Sequence, residues 1–342
     1  MKGIDEPKVS EWLTTHCAGL KGPLVFEAIT GGHSNLTYKV SDASGRAVVL
    51  RRPPMGAVLA TAHDMGREHR IIRALANTEV PVPPALGLCT DEGVNGAPFY
   101  VMDFVTGSVL DTPAMVRQVL PDPASRRQLS ESVLDALVAL HSIDPDTVGL
   151  GDLGRKEAYL DRQLSRWRTQ WEKTKTRELA SMDETYDLLV RAKPAQKYTG
   201  IVHGDYRLGN MLATPDGRVA AVLDWELCTL GDTLADVGYL MNNWADAGEE
   251  GPSQAVAMPT STGGFMSRAE FLAAYTARSG HSVAGVEYYR AFQWWRLAAI
   301  VEGVLSRYQK GVMGDPGMAL DVFRAQVEQM AEEALRMIRG IA

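Results

Sequence analysis

The chain has 342 residues, a formal charge of −7 at pH 7, 45% hydrophobic and 23% charged residues. A chain of this size predicts about two domains, or one two-lobed unit, with a large buried core, and the composition excludes a disordered or fibrous protein. The acidic balance argues against nucleic acid as a partner, because phosphate backbones are gripped by clustered Lys and Arg.

The opening MKGIDEPKVSEWL has no apolar stretch after its basic residue, and the chain has no uninterrupted apolar run of membrane-spanning length. The expectation is a soluble, non-exported protein without a membrane partner. Cys17, Cys89 and Cys228 are odd in number, far apart and form no CxxC, which points to reduced thiols in the cytoplasm rather than a disulfide or zinc framework.

In chain order, Leu36, Tyr38 and Val40 alternate with polar residues, SDASG supplies a turn, and Ala47 to Leu50 resumes an apolar run. This predicts a β-hairpin, opened by the pair Gly31 and Gly32. Residues 64–76 switch to helical spacing, with Ile71, Ile72 and Leu75 on one face. The prolines of VPVPP from Val80 cannot continue that helix, and PFYVMDFVTG predicts a strand ending at Gly107. Residues 1–107 therefore read as a β-rich lobe with one main helix, and 108–342 as a mainly helical lobe. Helices are expected over 125–141, 156–173, Glu287 to Gln309 and Ala319 to Ile338. The Gly, Ser, Pro and Thr-rich stretch from Ala245 to Gly264 is expected to be a mobile loop.

The chemistry is concentrated in IVHGDYRLGNMLATPDGRVAAVLDWELCTLGDTLAD, from Ile201 to Asp236. One apolar strand end delivers His203, Gly204 and Asp205; Asn210 follows five residues after Asp205. A second strand, Val219 to Leu223, delivers Asp224 fourteen residues after Asn210. The spacing suggests three oxygen-bearing side chains pointing into one cleft. Hard oxygen ligands of this kind suit Mg²⁺, and a carboxylate left over from metal binding can orient a hydroxyl and accept its proton.

HxDxxxxN followed by an Asp at the end of the next strand resembles the catalytic-loop and metal-loop arrangement of the protein-kinase fold. The HGD form, with LDWE in place of DFG, resembles the aminoglycoside phosphotransferase and choline kinase group of small-molecule kinases. Among its subgroups, GGHSNLTYKV, LRRPP, RQLSRWRTQW and LGDTLADVGYL are most similar to the kinase-like domain found fused to acyl-CoA dehydrogenases. No dehydrogenase module is expected within these residues. The resemblance implies an α+β, bilobal protein-kinase-like fold and transfer of the ATP γ-phosphoryl group to a hydroxyl of a small molecule. It makes Asp205 the catalytic base and Asn210 and Asp224 the Mg²⁺ ligands. Glu68 becomes the partner of the strand-three cation, and Asp232 and Asp236 the braces of the catalytic loop. ATP is implied to contact Gly32, His33, Ser34 and Asn35 of the phosphate-covering loop, and Asp103 and Val105 where the lobes join.

Where kinases carry Lys on the third strand, this chain has Arg51 followed by Arg52. Alternation sets Arg51 on the side of Val49, so Arg51 is expected to hold the phosphates. Arg keeps its charge but is longer and planar, and is not interchangeable with Lys. His203 and His141 are expected to be packing residues. Trp167, Trp171, Trp294 and Trp295 fit a core stripe better than a cage for a cationic substrate. Arg162, Arg166 and Arg168 are either solvated or meet a phosphate-bearing acceptor. Three substrate classes stay open: a hydroxylated acyl-CoA or related metabolite, an aminoglycoside, or none at all in a nucleotide-binding pseudokinase. A metal hydrolase is disfavoured because no HExxH or His-rich ligand set occurs.

Overall fold

A computed structural model describes residues 1–29, 35–55, 64–249, 258–311 and 319–341. Helix α1 (Glu6–His16) is started by Asp5, whose side chain accepts from Lys8 N, as short polar caps do. Strands β1 (Leu24–Ala28), β2 (Leu36–Asp42) and β3 (Ala47–Arg52) follow, then helix α2 (Met65–Leu75), β4 (Ala85–Cys89), the single turn α3 (Glu92–Asn95) and β5 (Phe99–Asp103). The five strands form one antiparallel sheet in the order β1-β2-β3-β5-β4.

Both faces of this sheet are covered, which explains why β3 reads as a continuous apolar run rather than an alternating one. Val48, Leu50, Phe99 and Val101 pack with Val9 and Leu13 of α1. Val49, Tyr100 and Met102 face Met65 and Ile72 of α2, in a core that continues into the helical region. The expected strand over 98–107 is shorter in the structure. It leaves the sheet after Asp103, which pairs with Val48 of β3 and donates its N–H to Pro84 O at 2.8 Å. The chain then crosses to the helical region, where Ser108 bridges Ala213.

That region begins with α4 (Pro113–Val119), α5 (Pro123–Ser142), α6 (Tyr159–Thr174) and α7 (Ala180–Arg191). Two small antiparallel sheets come next: β6 (Gly200–Val202) pairs with β9 (Thr229–Gly231), and β7 (Met211–Ala213) with β8 (Val219–Val222). Helices α8 (Leu234–Asn242), α9 (Arg268–Ser279), α10 (Val286–Gln309) and α11 (Leu320–Arg339) complete the chain. No helix among the described residues is long and apolar enough to cross a membrane.

The four helices expected beyond residue 107 are present as α5, α6, α10 and α11, each within a few residues of the expected bounds. Trp171 and Trp295 are fully buried and Trp167 and Trp294 nearly so, as core residues. Around the segment expected to be mobile, the described flanks are pinned: Thr260 Oγ1 accepts from Ala245 N at 2.7 Å and donates to Ala245 O at 2.8 Å. Residues 250–257 lie outside the described set.

Candidate active site

The HGD loop leaves β6 at His203. Asp236, in the first turn of α8 and fully buried, accepts from His203 N at 2.6 Å and from Gly204 N at 2.8 Å. Its own position is fixed by His141 Nε2 at 3.4 Å, with Tyr275 Oη 2.8 Å from the other ring nitrogen. Asp232 braces the region more remotely, accepting from Leu234 N at 3.1 Å and from the Tyr289 hydroxyl at 2.6 Å. His203 is buried with both ring nitrogens engaged: Nδ1 accepts from Asp205 N at 3.2 Å, leaving Nε2 to donate to Leu223 O at 3.0 Å. It links the loop to the end of β8, the packing role its burial predicts.

Asn210 turns back onto the loop, its Nδ2 donating to Asp205 O at 2.9 Å and to Asp205 Oδ2 at 2.6 Å. The amide oxygen of Asn210 is therefore the atom left for another partner. Because Leu223 N donates to Asn210 O at 2.8 Å, the β7–β8 ladder sets Asn210 opposite Leu223, one residue from Asp224. Asp224 itself has φ +65°. That left-handed backbone is uncommon for a residue with a side chain, and such outliers concentrate at functional sites. One amide oxygen and one carboxylate in neighbouring positions are a fitting donor pair for Mg²⁺, which takes the rest of its shell from phosphate and water.

Arg51 joins the two regions. Its Nη1 lies 3.3 Å from Glu68 Oε2, and its Nη2 lies 2.6 Å from Asp224 Oδ1 and 3.9 Å from Glu226 Oε2. Burial works against the Arg51 charge, but Tyr100, Glu68 and Asp224 outweigh it and hold the guanidinium charged. Burial likewise pushes the Glu68 carboxyl up to about 7, with Arg51 pulling the other way. Tyr100 Oη donates to Glu68 Oε2 at 3.0 Å, and Asn35 Nδ2 to Glu68 Oε1 at 3.2 Å and Glu226 Oε2 at 3.3 Å. Three carboxylates thus converge on one guanidinium. Arg52 points to the opposite face, its Nη1 donating to Gly3 O and Asn95 O, as the alternation of β3 requires.

Other expected site residues are arranged differently. Gly32, His33 and Ser34 lie outside the described residues. Asp103 has its carboxylate held by Arg46 Nη1 at 2.5 Å, and Val105 is half-buried just beyond the end of β5. Of the three arginines on α6, Arg168 is committed to Asp183 and Glu172, and Arg162 to the carbonyls of Arg155 and Leu230. Arg166 lies over the Trp167 ring at 5.2 Å.

Beside Asp205 opens a cavity of about 530 Å³ whose wall is built by α10 and α11. Arg207 and Arg296 flank Asp205 at its polar end, while Leu297, Ile300, Val301 and Met330 make the far side apolar. Arg207 Nε is 3.4 Å from Asp205 Oδ1. The Tyr239 hydroxyl is pushed well up by burial and then by Asp205, so it stays protonated beside that carboxylate. Glu226, Arg207, Tyr239 and Arg296 were not singled out by their sequence pattern. Only Glu226, two residues after Asp224 in LDWE, carried a signal of position.

The model of the phosphotransferase enzyme family matches residues 25–292. The chain is 33% identical over 313 residues to mouse acyl-CoA dehydrogenase family member 10, covering 87% of this chain but 28% of that protein. The chain spans well under half the length of the acyl-CoA dehydrogenase relatives it matches. A Ralstonia eutropha crystal structure named for the aminoglycoside phosphotransferases superposes with TM-score 0.83 at 34% identity, over 99% of both chains. A ternary complex of aminoglycoside phosphotransferase APH(4)-Ia with AMP-PNP and hygromycin B shares the fold, with TM-score 0.61 at 15% identity over 96% of this chain and 98% of that one. With an α+β, kinase-like architecture, a braced HGD loop and a family match across most of its length, the chain belongs to the phosphotransferase enzyme family.

Proposed function

We propose that this phosphotransferase moves the γ-phosphoryl group of ATP onto a hydroxyl of a small molecule. The observation that carries the reading is the position of Asp205, fastened by Asn210 on one side and open to the α10–α11 cavity on the other. In that position its carboxylate orients an incoming hydroxyl and takes its proton as the oxygen attacks phosphorus. Arg51, anchored by Glu68, steadies the phosphates, and Asn35 ties the covering loop to Glu68 and Glu226. Asn210 Oδ1 and Asp224 would hold Mg²⁺, which supplies charge neutralisation at the phosphate oxygens. Asp103 and Val105 mark the junction of a nucleotide-covering lobe, residues 1–107, with an acceptor lobe, residues 108–342. The three buried, free cysteines support a reducing, cytoplasmic setting.

The cavity also bears on the acceptor. A polycationic aminoglycoside calls for clustered carboxylates, whereas Asp111 and Asp205 here share the lining with Arg207 and Arg296. The apolar far wall fits an acceptor with a hydrocarbon arm, and a hydroxylated acyl-CoA is the class we favour. The test is ADP release from Mg-ATP across aminoglycosides, choline-like alcohols, sugars and hydroxyacyl-CoA esters, with Asp205→Ala in parallel. The variant should turn over roughly 10²–10⁴-fold more slowly while still binding nucleotide. Wild-type turnover in the variant would refute the mechanism. Binding of Mg-ATP without release to any acceptor would favour the pseudokinase reading.

A further inference from the structure

We propose that Arg296 is a positioning residue that ties the acceptor cavity to the catalytic loop and selects acceptors by charge. The inference rests on the kinase reading for its reaction, and on the cavity alone for its selectivity. Arg296 lies midway along α10 and is 6% exposed. Its Nη1 and Nη2 both donate to Gly204 O at 3.1 Å, and Nη1 also reaches Gln293 Oε1 at 2.8 Å. Gly204 has φ +84°, and a Cβ added there would meet Leu227 O at 2.8 Å, so the peptide leading into Asp205 has little freedom. Asp236 grips two amides of this turn and Arg296 its carbonyl. Asp205 therefore hangs from a peptide clamped by α8 and by α10.

The second half of the argument is electrostatic. The hydrogen-bond acceptors of Arg296 are neutral, and its Cζ lies 5.4 Å from the Trp167 ring centre and 5.9 Å from that of Tyr239. Its Nε is buried without a hydrogen-bond partner, and among the described residues no carboxylate pairs with it. Buried charges are ordinarily paired. This one borders the cavity next to Asp205, where it repels a cationic acceptor and attracts one with carboxylate or carbonyl oxygens near the reacting hydroxyl. Occupying the cavity with such a group would give the charge of the residue that holds the loop an opposite charge beside it.

The test uses the whole chain with Arg296→Lys and Arg296→Gln. Mg-ADP affinity reports on the fold, and Mg-ATP hydrolysis supplies kcat and KM. Binding of three small alcohols of similar size, lactate, propylene glycol and isopropanolamine, is read by saturation-transfer NMR. We expect Mg-ADP affinity within about twofold of wild type in both variants, with kcat for hydrolysis at least tenfold lower in Arg296→Gln at unchanged KM. Wild type should bind lactate best and isopropanolamine worst, an order that Arg296→Lys keeps and Arg296→Gln loses. Unchanged kcat, or parallel loss of Mg-ADP binding and kcat in both variants, would overturn the positioning role. Equal binding of the cationic and anionic alcohols by wild type would overturn the selectivity. Failure of wild type to bind Mg-ADP would instead sink the kinase reading, and the alcohol order would still decide the charge selection.

Discussion

Asp236→Asn isolates how much the brace beneath the HGD loop contributes. The carboxylate is fully buried and takes two backbone N–H groups, at 2.6 and 2.8 Å. Asparagine keeps one acceptor oxygen and turns an NH₂ toward the second amide, so one charge-assisted bond is lost and a buried donor is left unpaired, at a combined cost of about 3–5 kcal/mol. With an unfolding entropy near 2.1 cal/mol/K per residue, this predicts a fall in Tm of roughly 4–7 °C. The same change frees the peptide that carries Asp205, and a misplacement of about 1 Å at a reacting group can lower turnover by about 10²-fold. Differential scanning fluorimetry, nucleotide affinity and turnover would be measured on the same preparation. The expected pattern is a lower Tm and a lower kcat with the Arg51 cluster still binding nucleotide. A Tm within about 1 °C of wild type together with unchanged turnover would refute the claim that these two hydrogen bonds set the loop.

Burial pushes the Glu68 carboxyl from 4.5 up to about 7. The folded chain thus keeps a proton that the unfolded chain loses in that window, and stability should fall as pH rises from 4.5 to 7, by at most about 1.4 kcal/mol per pH unit. Urea titrations at several pH values should show a flatter profile for Glu68→Gln, and an identical slope would contradict a buried, titrating Glu68. Arg51→Ala removes the cation that pulls the Glu68 carboxyl down, so Glu68 should take up a proton, and Mg-nucleotide binding should weaken at least tenfold; isothermal calorimetry giving the wild-type affinity would remove Arg51 from the phosphate site. In Gly238→Ala the added Cβ would sit 2.6 Å from Tyr289 Cβ and 2.9 Å from its backbone carbon, where α8 meets α10. Overpacking of that kind should cost about 1–3 kcal/mol, visible as a lower urea midpoint, and an unmoved midpoint would mean the two helices separate freely.

What could be read from the sequence and what could not divide along physical lines. Asp205, Asn210 and Asp224 were legible because their relationship is local: a short loop and one β-ladder fix them, and the spacing along the chain nearly determines the spacing in space. Arg51 was legible for a similar reason, since strand alternation decides which of two adjacent arginines faces α2. Helix α8 was missed because eight of its nine residues are buried; a helix enclosed on all sides has no polar face and so no amphipathic period to detect. Helix α9 carried a readable start, Ser267 capped by Glu270, but its position relative to the site depends on packing against α5. Glu226 and Arg296 mark the limit more sharply. Each acts on a residue of a distant element, Glu226 on Asn35 and Arg296 on Gly204, and nothing in the neighbouring sequence encodes such a partner. Arg296 directly follows Trp294 and Trp295 in a helix whose burial pattern is that of a core, where an arginine reads as the edge of the stripe. Its guanidinium instead closes on the carbonyl before Asp205, so the same packing that makes α10 a core helix makes it a wall of the cavity beside that loop.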